Sequence, residues 1–299
     1  MRPLHRLAGI LVALPLTLLH VEASAVAASS PDAVAPKKPT STVQPLERAH
    51  AHNDYEHERP LLDALSHGFT SVEADVYLVD GQLLVAHDPE DLDPARTLQS
   101  LYLDPLREIV RRSGGSVYRA WDGSLQLLVD IKNTGAETYA ELDRVLRRYR
   151  SILTTWKGDK VRERAVTVVI SGDRPRELME SQRVRFAGYD GRLSNLGTGI
   201  PATFMPLVSD NWTKHFTWMG VGPMPEAERE KLHAIVEQAH AAGYRVRFWA
   251  TPDMDTAARE ALWRELVAAG VDHINTDDLA GLQEFLLAED PAEQEAPAA

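Results

Sequence analysis

Short apolar runs along this chain take turns with longer stretches whose apolar residues recur every three or four positions. The runs "ERAHAHN" (47–53), "TSVEADVYLV" (70–79), "QLLVAHD" (82–88), "LQLLVDIK" (125–132), "AVTVVISG" (165–172), "RVRFAGYD" (183–190), "ATFMPLVSD" (202–210), "YRVRFWATP" (244–252) and "VDHINTDD" (271–278) read as strands. Between them, 59–68, 136–156, 174–182, 226–243 and 256–270 have helical spacing, and Gly68, Gly243 and Gly270 stand where a helix-ending glycine belongs. Strands separated by helices pair in parallel, because parallel neighbours need a crossover. About eight such units over 46–287 predict an α/β fold, a single-domain (β/α)₈ TIM barrel. An open doubly wound sheet is the alternative, disfavoured because no G-x-G-x-x-G follows the first strand.

The ends of the chain read differently. Arg2 and Arg6 precede a 13-residue apolar run, "LAGILVALPLTLL" (7–19), and small residues follow. A membrane span needs about 20 residues. The pattern therefore predicts a cleaved signal peptide over 1–28 and a secreted or periplasmic protein. Residues 29–45, rich in Pro, Ser and Thr, read as a disordered linker, and 288–299 as a disordered tail.

There is no cysteine, so disulfides, cysteine nucleophiles and thiolate metal sites are excluded. The net charge is −12. Loss of 1–28, with Arg2, Arg6 and Glu22, leaves 30 basic against 43 acidic residues. Nucleic-acid binding is not expected at that balance, and no protein partner is implied.

Most strand candidates are apolar at first and polar at their carboxyl ends, and in a parallel barrel those ends converge on the rim that carries active sites. Helix capping accounts for Asp54, Asp88, Asp173 and Asp278. It does not account for Glu73 and Asp75, which stand two apart on one strand and so face one side, with Val72, Ala74 and Val76 on the other. Paired carboxylates repel unless a cation or proton lies between them. With Asp130 as a third oxygen ligand they suit a hard divalent cation, Mg²⁺ or Ca²⁺. His52 and His87 end strands beside them and form a candidate acid–base pair. Lys132, two residues beyond Asp130, can offset phosphoryl charge.

The text "AHNDY…RPLLDALSHGFTSVEADVYLVDGQLLVAHD", with "LLVDIK", "RFWATPD" and "INTDDL", resembles the glycerophosphodiester phosphodiesterase-like superfamily of phospholipase-C-like barrels. Within it, the phrasing is most similar to the branch named after altered inheritance of mitochondria protein 6. The resemblance implies a phosphoric diester hydrolase acting on a glycerophosphodiester or a lipid phosphodiester. It implies His52 and His87 as the catalytic histidines, Glu73, Asp75 and Asp130 as metal ligands, Lys132 on phosphate and Trp249 on substrate. Asn53 beside His52 is a further substrate-binding candidate. Arg59 is either a phosphate contact or half of a surface salt bridge.

Two other readings are open. His50-x-His52 with Asp277 fits a zinc amidohydrolase barrel, although the middle strands supply no further histidine. A non-catalytic ligand-binding barrel is the other. Trp212, Phe216, Trp218 and Met219 form either an apolar patch that touches a lipid surface or a loop folded onto the protein's own core.

Overall fold

The computed structural model of the chain describes residues 43–290 and 292. The expected signal peptide and most of the linker lie outside them. Eight parallel strands form the barrel: β1 (Leu46–Ala51), β2 (Phe69–Val79), β4 (Leu125–Ile131), β7 (Val166–Gly172), β9 (Ala187–Gly191), β10 (Leu207–Asn211), β11 (Arg245–Trp249) and β12 (His273–Thr276). Each pairs with the next, and β1 closes the ring by pairing with both β12 and β2. Helices α1 (Leu62–Ser66), α2 (Asp104–Arg112), α3 (Gly135–Leu146), α4 (Arg176–Ser181), α5 (Glu226–Ala241), α6 (Ala257–Ala269) and α7 (Leu279–Glu289) connect them. The TIM barrel read from the periodicity is the fold.

Four details differ from the sequence reading. The run 82–88 is no barrel strand: β3 (Gln82–Val85) turns back antiparallel on the end of β2. Asp80 and Gly81 both have positive φ, the requirement of a tight two-residue hairpin turn. The helix expected over 136–156 stops near Tyr149, and Thr155–Lys157 is instead β5 of a small antiparallel sheet with β6 (Lys160–Arg162) and β8 (Val184–Arg185). The run 183–190 therefore divides, with β8 in that sheet and β9 in the barrel. At the other end α7 runs two residues beyond 287, and buried Asp290 accepts a hydrogen bond from Arg48 Nε at 2.8 Å.

Apolar side chains from the outer strand faces and the helices make the main core. Val72, Ala74 and Val76 lie there, fully buried. Barrel interiors are usually filled by branched apolar residues. Here a separate cluster of Leu128, Val169 and Leu207 is the apolar filling, and buried polar residues on neighbouring strands hydrogen-bond to one another: Ser71, Gln126, His50, Glu73, Arg247 and Asn275. That polar interior positions the site.

Candidate active site at the carboxyl rim of the barrel

Glu73 and Asp75 stand on β2, and β4 runs alongside with Asp75 paired in register to Asp130. Ligand atoms of the three carboxylates lie within 4.8 Å of one another, the one such cluster of metal-ligating side chains among the described residues. Gly172, with φ +68°, ends β7 beside them; a Cβ there would come within 2.5 Å of Asp130 Oδ1. Glycine is what leaves room for that carboxylate.

Each carboxylate commits one oxygen to the protein and keeps the other clear. Glu73 Oε2 accepts from Arg247 at 2.6 Å and lies 3.2 Å from His50 Nε2. Asp75 Oδ2 accepts from the Tyr55 hydroxyl at 2.6 Å and pairs with Lys132 Nζ at 2.8 Å. Asp130 Oδ1 lies 3.2 Å from the same ammonium. The second oxygens carry no hydrogen bond among the described residues, and Asp75 Oδ1 is buried without a partner. Three hard oxygen donors with a free atom each, one of them orphaned, fit a divalent cation.

Charge at the cluster follows from these contacts. Burial works against ionisation of Glu73, but Arg247 and His50 outweigh it and hold its carboxyl well below the usual range. Burial, then repulsion from Glu73, pushes Asp75 up to about 6 against the pull of Lys132. Burial also raises Asp130. For Lys132, burial is outweighed by Asp130 and Asp75, so its ammonium is held more firmly than usual.

The two histidines reach the rim from different elements. His52 follows β1, whose register is extended by the His52 N–H donating to the Thr276 carbonyl, and its Nδ1 lies 2.8 Å from Asp277 Oδ1. Burial lowers its pKa, but the Asp277 bond and the Glu73 charge raise it further, for a net upward shift. His87 arrives by the Asp80–Gly81 hairpin, with Nδ1 3.0 Å from the Tyr55 hydroxyl and 3.4 Å from Asp75 Oδ2. In both rings Nδ1 is anchored and Nε2 has no hydrogen bond among the described residues, so Nε2 is the nitrogen presented for chemistry.

Asn53, in the left-handed region, has its Oδ1 2.8 Å from the Tyr55 hydroxyl. Trp249 ends β11 half-buried. Arg59 is not gathered in: its exposed guanidinium pairs with Asp63 at 2.6 Å, the salt-bridge alternative. The zinc arrangement is also corrected. Buried His50 spends Nδ1 on Ser71 at 2.6 Å and Nε2 on Glu73, while His52 turns to Asp277, so the two share no ligand position. Trp212, Phe216 and Trp218 are core residues rather than a surface patch; Trp212 stacks on Phe216 at 4.0 Å and donates its indole N–H to the Trp218 carbonyl.

Tyr55 and Arg247 escaped the sequence reading. Arg245, Arg247 and Trp249 alternate with Val246 and Phe248, and in a barrel strand that alternation puts both arginines inside. That signal was available. The contact of Tyr55 with Asp75, 20 residues away, had none.

The class and then the family follow. Residues 245–280, which hold β11, β12 and Asp277, match the glycerophosphoryl diester phosphodiesterase family. Residues 37–190, just over half the chain, match the AIM6-like phosphodiesterase domain. Altered inheritance of mitochondria protein 6 from Eremothecium gossypii is 32% identical over 83% of this chain and 72% of its own length. A homolog from Arthroderma benhamiae is 30% identical over 77% of this chain and 81% of its own. A solved glycerophosphoryl diester phosphodiesterase from Parabacteroides distasonis superposes with a TM-score of 0.49 at 14% identity, covering 83% of this chain and 88% of that one. The chain belongs to the AIM6-like phosphodiesterase family.

Proposed function

We propose that the protein hydrolyses a phosphodiester of the glycerophosphodiester or phospholipid type at this rim, with Mg²⁺ or Ca²⁺ held by Glu73, Asp75 and Asp130. The observation that carries the reading is the convergence of three carboxylates whose uncommitted oxygens have no partner among the described residues, with two histidines that each present Nε2. When bound, a divalent cation supplies neutralisation of charge on the phosphate oxygens. Lys132, bridging Asp75 and Asp130, places a second positive charge beside the same oxygens.

His52, kept protonated by the pairing of its Nδ1 with Asp277, gives its Nε2 proton to the leaving alkoxide. His87 takes the proton of the attacking water. Tyr55 keeps its proton, because burial and Asp75 raise its pKa, and so stays a fixed donor that orients Asp75. Trp249 and Asn53 flank the substrate. Export remains part of the proposal, supported by the pattern of residues 1–28. Delivery from a lipid surface is supported by Val221 and Met254, 79% and 80% exposed on the loops after the neighbouring strands β10 and β11.

The test is steady-state hydrolysis of glycerophosphocholine and of phospholipid vesicles by the wild type, His52→Ala and His87→Ala. Each substitution is expected to lower kcat at least about 10²-fold, the usual scale of general acid–base catalysis, without a change in Tm. Unchanged turnover in either variant would remove that histidine from the mechanism.

A further inference from the structure

The barrel has a cavity at its amino-terminal end, opposite the rim. It encloses about 670 Å³ and is lined by the first residues of several strands and by the small antiparallel sheet. Arg48, His273 and Arg245 enter it from three adjacent strands, β1, β12 and β11. Trp121, Trp156 and Glu163 line it as well.

Two of these side chains have polar atoms without a protein partner. His273 is 3% exposed, and neither ring nitrogen has a hydrogen bond among the described residues. Burial and the neighbouring Arg245 hold it neutral, and its ring nitrogens are buried rather than open to the cavity. Arg245 donates from one terminal nitrogen to Gln126 Oε1 at 2.8 Å, and its other N–H groups have no partner among the described residues. A relay keeps this guanidinium in place. Gln126 Nε2 donates to Ser71 Oγ at 2.9 Å, Ser71 meets His50 at 2.6 Å, and His50 meets Glu73. By contrast, Arg48 is committed to Asp290 and the Val271 carbonyl, and Asp272 to His240 and the Val246 N–H.

The charges that remain have both signs: the guanidinium of Arg245, and the carboxylate of Glu163, which interacts with Arg245 across the cavity end of the barrel. Trp121, partly exposed, adds aromatic surface, which attracts an ammonium group. A plain anion would meet Glu163, and a plain cation would meet Arg245.

We infer that this cavity is a second binding site, for a small zwitterion with a carboxylate or phosphate at one end and an ammonium group at the other. The anionic end bonds to Arg245. The ammonium end lies against Trp121, toward Glu163. The site is separate from the rim and does not depend on hydrolysis there.

Glycine betaine is the probe, with 3,3-dimethylbutanoate, which replaces its nitrogen by carbon, and choline, which lacks its carboxylate. Binding to the full chain is followed by saturation-transfer NMR and chemical-shift titration. Betaine is expected to bind at least tenfold more tightly than either analogue. Arg245→Met is expected to weaken it tenfold or more, and so is Val161→Trp, which fills the cavity wall from an exposed position on β6 without touching the relay. Equal binding of the three compounds, no binding of any, or betaine binding that survives Val161→Trp would overturn the proposal.

Discussion

At the scale of single residues, most of the candidate site depends on who holds whom. Tyr55 touches no metal position, yet its hydroxyl reaches Asp75, Asn53 and His87 at 2.6, 2.8 and 3.0 Å. Removing such a buttress usually costs about 10–100-fold in activity or metal affinity. Tyr55→Phe is therefore expected to lower kcat/KM on that scale with the fold intact, as circular dichroism would show. Asp277→Asn tests the role given to His52. Because Asp277 helps raise the pKa of His52, its loss should move the alkaline limb of the kcat/KM profile to lower pH; movement of the acidic limb would make His52 the base instead. Asp54 gives a stability test away from the chemistry. It is fully buried, and burial lifts its pKa from 3.8 to about 7 despite a 2.6 Å hydrogen bond from the Leu61 N–H. The fold thus binds its proton more tightly than the unfolded chain does. That contribution is complete below about pH 4 and is lost as pH rises through 7. Thermal melts of Asp54→Asn between pH 4 and 7.5 should fall less steeply with pH than those of the wild type.

At the scale of elements, β11 shows how a barrel strand can be buried on both faces and still be charged. Val246 and Phe248 pack outward into the core, while Arg247 turns inward to Glu73 and Asn275. Breaking a buried ion pair from one side costs about 3–5 kcal/mol, whereas replacing both partners is far less damaging. Denaturant melts of the cation-free protein should show Arg247→Met destabilised on that scale and Arg247→Met with Glu73→Gln partly restored. A double variant no more stable than the single one would refute the pairing. The strands were legible where the period-2 pattern was long and flanked by helical text, as in β2, β4 and β7. Glu73, Asp75 and Asp130 were legible with them, because register follows from alternation. The split of 183–190 and the early end of α3 were not, since β5, β6 and β8 are two or three residues each and exist only through pairing with one another. The hairpin that carries His87 was written in "VDGQ", but an isolated apolar run does not say whether it joins the barrel.

At the scale of the molecule, the protein is a barrel with an acidic, histidine-flanked rim and a polar interior that anchors it. A cation that binds only the folded chain raises its stability by mass action. Addition of Mg²⁺ or Ca²⁺ should therefore raise Tm in a concentration-dependent way, and Glu73→Gln should abolish the rise. The central claim, cation-dependent cleavage of a phosphodiester at this rim, is tested most directly by phosphorus NMR. The full chain is incubated with glycerophosphodiesters, lysophospholipids and sphingomyelin, with either cation and with chelator. The expected result is a new phosphomonoester resonance from at least one substrate that disappears with chelator and with Glu73→Ala. Its contradiction is a spectrum unchanged across the panel while Tm still responds to the cation, the behaviour of a barrel that binds and does not cleave.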